Sequence, residues 1–254
     1  MLGPSPVNWL VCAAVLAMAV VALGGFRSSW APEGAPYVGV VNLDRNADRL
    51  GTFLQKYESS DFAAWPCGRV AAVDGKRADW ERVVEPVALN KLMIVQKTGV
   101  REDHPDLTPG AVGCYLSHMM AWRRIVASGR PWGLVFEDDA DVPAGARRAL
   151  EAHMRTLPSD WDVFLLGYEA HGTPEAKAGG LLSIPRFCRL HAYAITARAA
   201  ERLARTMLPM TQQVDWAMSD RIQVGDLKVY ASPQQIVPFT WQGTEIQTPL
   251  NESV

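Results

Sequence analysis

The chain has 254 residues, with 25 Lys and Arg against 27 Asp and Glu and 48% hydrophobic residues, an ordinary globular composition carrying a formal charge of −2. Disorder, which needs low hydrophobicity with high net charge, is excluded; the basic excess with which nucleic-acid binders neutralise phosphates is absent, so no nucleic-acid partner is expected. Four cysteines make no disulfide framework: Cys12 lies in an apolar stretch, and Cys67, Cys114 and Cys188 admit at most one bridge plus a spare thiol.

Met1 to Phe26 carries no charged side chain, and Trp9 to Phe26 is an unbroken apolar and Gly run of 18 residues, about 27 Å long as a helix. The run nearly matches a bilayer's hydrocarbon core. It is longer than the apolar segment of about 7 to 15 residues in a cleaved signal peptide, and it lacks the basic front of one. A retained anchor over residues 1–26 is therefore the expectation, with a signal peptide as the alternative. Only the terminal amine and Arg27 compete under the positive-inside rule, and the expected arrangement is single-pass and type II. The rest of the chain would then face a Golgi or ER lumen in a eukaryote or a virus of one, or lie at the inner membrane in a bacterium. Residues 27–36, with two Pro and one Gly, read as a short stem, and 37–254 as one α/β domain.

Along that domain strands and helices alternate. Tyr37 to Leu43 is a β-prone run, followed by a helix with Leu50, Phe53, Leu54 and Tyr57 at helical spacing. Arg69 to Val73 is a second strand. Thr108-Pro109 reads as an N-cap with proline at the first helical position, opening a helix to about Ala127. On that helix Val112, Tyr115, Leu116, Met119 and Val126 make an apolar face, and Gly110, Cys114, Ser117 and Ala121 a small-residue face opposite. Trp132 to Phe136 is a buried-type strand, followed by a helix near Ala144 to Thr156 that Pro158 stops. Trp161 to Leu166 is another strand, and Ala192 to Ile195 leads into a Thr196-capped helix. A helix near Gln213 to Val224 ends at Gly225 before the strand Leu227 to Tyr230. Such alternation predicts a mostly parallel sheet with helices on both faces.

Several of these strands finish in acidic or amide groups: Asn42 and Asp44, Asp74, then Glu137-Asp138-Asp139-Ala140-Asp141. Ligands of open α/β sheets sit beyond the carboxyl ends of strands, so these groups can converge on one crevice. Singly, each has an ordinary explanation, since Asp74-Gly75 is a common turn pair and Asp44 can cap the following helix. In an extended segment Glu137, Asp139 and Asp141 share one side and Asp138 faces the other. Like charges about 4 Å apart repel by only about 1 kcal/mol in water, so a solvated loop tolerates the cluster without a metal. In a crevice, a hard divalent cation such as Mg²⁺ or Mn²⁺ would be needed, held by one or two carboxylates plus substrate phosphates.

These blocks, taken together and in order, carry a resemblance. Val40-Val41-Asn42-Leu43-Asp44-Arg45 with Asp48-Arg49-Leu50, Ala72-Val73-Asp74-Gly75, Leu107-Thr108-Pro109-Gly110 with Gly113-Cys114 and Leu116-Ser117-His118, and Glu137-Asp138-Asp139 resemble glycosyltransferase family 25. The resemblance runs from about Val38 to Gln235. It implies a GT-A-like, Rossmann-like fold, a UDP-sugar donor (commonly UDP-galactose), inversion at the anomeric carbon and usually a divalent metal, Mn²⁺ or Mg²⁺. The acceptor it implies is a hydroxyl of a glycan, glycolipid or glycoprotein, and lipopolysaccharide biosynthesis is one setting.

Site roles follow from chemistry and resemblance jointly. A cation on Asp139, with Glu137 or Asp141 alongside, would act as Lewis acid toward the departing diphosphate. Asp138 would face away, toward the sugar hydroxyls. By resemblance Asn42, Asp44, Arg45 and Asp74 lie where the nucleotide is held, and Ser117 and His118 become donor-site hydrogen-bonding groups. Inverting transfer needs a base for the acceptor hydroxyl: Asp215 matches a family position, and Asp220 lies five residues on. Two other classes compete with the enzyme: a catalytically silent sugar- or nucleotide-binding module, and a membrane-tethered scaffold whose strand-end acids are coincidence.

Overall fold

The computed structural model describes residues 34–239 and 246–250. The expected anchor and most of the stem lie outside the described residues; among those described, no helix is long and apolar enough to cross a membrane. The elements in order are β1 (Tyr37–Asn42), α1 (Ala47–Ser59), β2 (Gly68–Ala71), α2 (Trp80–Val83), α3 (Pro86–Thr98), α4 (Pro109–Ala127), β3 (Trp132–Glu137) and α5 (Ala146–Met154). They continue with β4 (Val163–His171), β5 (Glu175–Lys177), β6 (Leu181–Ser183), β7 (Arg186–Thr196), α6 (Ala197–Thr206), α7 (Val214–Gln223) and β8 (Val229–Ala231).

One eight-stranded sheet, in the order β2-β1-β3-β7-β4-β8-β6-β5, carries flanking helices. It is mixed rather than mostly parallel. β1 runs parallel to β2 and to β3, and β4 parallel to β8, but β7 is antiparallel to both β3 and β4, and β6 to both β5 and β8. The reason lies between Leu166 and Ala192. No helical crossover separates those strands, and without one a returning strand pairs antiparallel. β4 also runs on through Gly167 to His171, and β7 begins at Arg186, so the two form a long hairpin carrying register shifts at Leu165/Gly167 and Gly167/Glu169.

Helices cover both faces of the sheet's centre. On β3, Phe136 meets Phe53 of α1 with ring centroids 5.5 Å apart, while the neighbouring face at Gly133 is filled by Ile125 of α4, whose Cγ1 lies 2.4 Å from where a Cβ would stand. Thr108 caps α4 by accepting from the Ala111 N–H at 2.9 Å, with Pro109 in the first turn. The expected amphipathic stripe of α4 gives way to burial on both faces: Ser117, His118, Ala121 and Trp122 are buried as fully as Val112, Tyr115 and Met119, whereas Val126 is exposed. A helix under one part of the molecule and against a sheet has no water-facing side to mark. α3 escaped sequence reading for the opposite reason, since Val87, Met93 and Ile94 are exposed while Ala88, Leu92 and Val95 are buried, leaving no polar stripe to reveal its period. Cys67, Cys114 and Cys188 are all free thiols.

Candidate active site

A cleft of about 910 Å³ opens beyond the carboxyl ends of β1, β2 and β3, bounded by the first turns of α4 and α7 and by the β4/β7 hairpin. Its position follows from the parallel half of the sheet, where strand ends and helix starts face one crevice. Asn42, Arg45, Asp74, Ser117, His118, Glu137, Asp138, Asp139 and Asp215 all border it; Asp44, Asp141 and Asp220 do not.

The floor is a set of close backbone contacts. Gly75 and Gly113 press the β2 loop onto α4: a Cβ on Gly75 would stand 1.8 Å from Pro109 O, and one on Gly113 would stand 2.5 Å from Val73 O. Ser117 locks the same contact, donating to Gly113 O at 2.6 Å and accepting from the Val73 N–H at 2.9 Å. Ser117 therefore clamps the β2 loop to α4 at the cleft floor. Asp74 caps the following turn through Lys76 N–H (3.1 Å) and holds Arg45 at 2.9 Å, so both sit paired on the rim.

Asn42 is buried and saturated. Its amide donates to Asp138 (2.7 Å) and to Asn46 O (2.9 Å), and its oxygen accepts from Arg69 Nε (2.9 Å). Arg69 also takes Asp44, which is 86% exposed and points away from the cleft. Asp44 caps no helix either, since the residue before α1 is Asn46.

Strand alternation holds from Glu137 to Asp138 and then ends. Glu137 points to the α4 side and Asp138 to the α1 side, where Arg49 meets it at 2.5 Å; Asp138 thus ties β3 to β1 and α1 rather than facing away. Ala140 N–H then donates to Glu137 O at 3.1 Å, a turn that carries Asp139 back beside Arg49 (3.4 Å) and sends Asp141 out to Lys56 (2.8 Å). Asp141 is removed from the acidic group by that turn.

His118 is wholly buried, with Nε2 at 3.0 Å from Glu137 Oε1 and Nδ1 at 3.0 Å from the Tyr193 hydroxyl, which itself accepts from Trp122 Nε1 at 2.8 Å. Indole N–H only donates, so the Tyr193 proton goes to Nδ1 and the Nε2 proton to Glu137. His118 thus supports Glu137 from behind, and with Cys114 and Glu137 it forms a group of possible metal ligands at the cleft. Burial would raise Glu137, but the His118 hydrogen bond, helped by the Arg49 charge, outweighs it and holds the carboxyl below its ordinary range. Asp139 goes the other way: burial, reinforced by the Glu137 charge and only partly opposed by Arg49, pushes it up to about 7. Its Oδ1 is buried with no hydrogen-bond partner among the described residues. An orphaned carboxylate oxygen beside a second anion is what a hard divalent cation relieves, so the residues present fit one, held by Asp139 and Glu137.

On the far wall Asp215, at the start of α7, accepts from the N–H groups of Arg189 (3.0 Å) and Trp216 (2.9 Å), and burial raises its carboxyl above the ordinary value despite them. Asp220 faces solvent, held by Gln212 (2.6 Å) and near Arg186 (3.7 Å). The sequence reading missed Arg49, although it stood inside the quoted block, and missed His191. His191 Nε2 donates to Val237 O (2.9 Å), which leaves Nδ1 as a buried lone pair without a partner among the described residues. No local sequence pattern marked it; in the fold Gly167 makes room for its ring, since a Cβ there would stand 1.9 Å from Nε2.

The mixed sheet and its acid-lined cleft define an α/β protein with a strand-end ligand site, and comparison with known proteins gives the family. The model of glycosyltransferase family 25, described as LPS biosynthesis protein, matches residues 36–173, just over half of the chain, and the chain belongs to that family. It is 30% identical over 196 residues to procollagen galactosyltransferase 1 of Danio rerio, covering 70% of this chain and 31% of the relative. To inactive glycosyltransferase 25 family member 3 of Homo sapiens it is 29% identical over 225 residues, covering 82% and 36%. The chain thus spans about a third of the length of these curated relatives. The solved structure of mouse xyloside xylosyltransferase 1 aligns with 9% identity and a TM-score of 0.38 over 76% of this chain and 83% of its own, too low to add to the assignment.

Proposed function

We propose that this chain is an inverting glycosyltransferase that moves a sugar, galactose in the first instance, from a UDP-sugar to a hydroxyl of a glycan, glycolipid or glycoprotein. The observation that carries the reading is the buried, partnerless Oδ1 of Asp139 beside Glu137 in a cleft of about 910 Å³ at the strand ends. A divalent cation bound there, Mn²⁺ or Mg²⁺, would supply Lewis-acid stabilisation to the departing diphosphate. Arg45, Lys76 and Arg101 border the same cleft and attract a polyanionic donor. Arg49 holds Asp138 and Asp139 in place, and the Trp122–Tyr193–His118 chain fixes Glu137.

Asp215 is the base in this reading. Two backbone N–H groups orient its carboxylate, and its raised pKa makes it a better proton acceptor than a free aspartate. The acceptor O–H proton passes to Asp215, the hydroxyl oxygen bonds to the anomeric carbon from the face opposite the diphosphate, and the bond from that carbon to the diphosphate oxygen breaks, releasing UDP. The rival reading, a catalytically silent module, draws its support from the human relative named inactive. Release of UDP from UDP-galactose by the full-length chain, with Mn²⁺ and with EDTA, decides between them: Mn²⁺-dependent release supports the enzyme, and a Mn²⁺-loaded chain that binds UDP without turnover on any acceptor supports the silent module.

The membrane anchor over residues 1–26 belongs to the same proposal and rests on the apolar run alone. Full-length protein should stay with membranes through alkaline carbonate, and a soluble mature chain beginning near Gly25 would replace the anchor with a cleaved signal.

A further inference from the structure

The β4/β7 hairpin carries a second group of ligating side chains that the transfer reaction does not use. Glu169 and Cys188 are direct cross-strand partners, and His171 lies two residues after Glu169 on the same face of β4. One carboxylate oxygen of Glu169, one ring nitrogen of His171 and Cys188 Sγ all lie within 4.8 Å of one another. The three side chains line the edge of the cleft, accessible from solvent, and His171 is braced by Trp216, its ring centroid 5.2 Å away.

We propose that Glu169, His171 and Cys188 form a binding site for a borderline-soft divalent cation of the Zn²⁺ class. Thiolate, imidazole and carboxylate together are a zinc donor set, and three protein ligands leave the fourth position open toward the cleft. The geometry is close to what zinc demands. His171 Nε2 and Cys188 Sγ are 3.0 Å apart, against about 3.6 Å for a nitrogen and a sulfur on one tetrahedral zinc, so a movement of roughly half an ångström admits the ion. Glu169 must release Arg189 (3.0 Å), and Arg189 already lies over the Phe239 ring at 4.0 Å, which can hold its cation. Burial, with the Glu169 and Asp215 charges, raises the metal-free Cys188 thiol, so the ion would bind with release of the Sγ proton to solvent. Hard cations go to the Asp139 and Glu137 carboxylates instead, which offer oxygen. The proposal is independent of the transferase reading.

Cobalt titration of the reduced full-length chain tests it, because Co²⁺ on a thiolate shows a near-ultraviolet charge-transfer band. We expect saturation of that band at one Co²⁺ per chain and its displacement by Zn²⁺. The band should vanish in Cys188→Ser, weaken at least tenfold in affinity in His171→Ala, and persist in Asp139→Asn and in Cys114→Ser, with thermal melting showing each variant folded. Absence of the band, its survival in Cys188→Ser, or its loss only in Cys114→Ser would overturn the site. UDP release, measured on the same samples, reports separately on the transferase.

Discussion

The two walls of the cleft are built on different principles. The wall from β1 to β3 and α4 is saturated except at its acidic tip, where Asp139 Oδ1 has no partner among the described residues: Asn42 makes three side-chain hydrogen bonds, Ser117 two, and Gly75 and Gly113 bring backbone against backbone. The wall from β4 and β7 is irregular: its ladder shifts register, Arg189 sits at φ 66°, and His191 Nδ1 has no partner among the described residues. A buried polar group left unmade costs about 1–3 kcal/mol, and a strained backbone residue a similar amount, so such features persist where a ligand or function uses them. The comparison teaches a division of labour. One wall is a rigid frame that aims Glu137 and Asp139, and the other keeps groups available.

The largest expected effect is at Asp139. Asp139→Asn removes the charge that offsets a cation and should lower transfer by about a hundredfold or more, with the thermal shift by Mn²⁺ plus UDP lost; full activity in that variant would undo the frame's assigned role. The same residue gives a pH signature. Its folded pKa of about 7 exceeds the ordinary 3.8, so between those values the folded state binds the extra proton, and the metal-free protein loses stability as pH rises through that window. Relative to Asp139→Asn in EDTA, melting of the parent should fall between about pH 4 and pH 7 and run level with it above.

Asp215→Asn, on the other wall, should depress transfer by about a hundredfold while UDP-sugar affinity stays nearly unchanged, because the donor's assigned contacts lie on the saturated wall. Transfer and donor binding falling together would make Asp215 part of the frame. Gly75→Ala puts a methyl into Pro109 O and should cost about 3 kcal/mol, roughly 6 to 12 °C in melting temperature, whereas Gly51→Ala, with open space around it, should cost nothing measurable. Tyr193→Phe cuts the chain behind His118 and should reduce kcat by about tenfold or less with KM unchanged. Smallest are Asp44→Asn, Asp141→Asn and Asp220→Asn, which lie off the cleft and should each keep activity within about twofold and stability within about 0.5 kcal/mol.

Much of the frame was legible in the sequence because its signals are local. The β1 run, the Thr108-Pro109 start of α4, the Phe53/Tyr57 face of α1 and the acids at the end of β3 each declare themselves within a few residues, by spacing, capping and charge. Local signals also set the fold class and the strand ends where a ligand would sit. Direction in the sheet was decided by tertiary structure, since antiparallel pairing of β7 depends on how β4 and β7 return on each other across residues 172–185. Which acids border the cleft was decided there too. A single turn after Glu137 separates Asp139 from Asp141, and Asp138 and His118, read from sequence as facing the sugar and the donor, find hydrogen-bond partners 96 and 19 positions away in the chain. Sequence fixes what each side chain is able to do, but charge and hydrogen bonding act through space, and only the folded chain says which partners are within 3 Å.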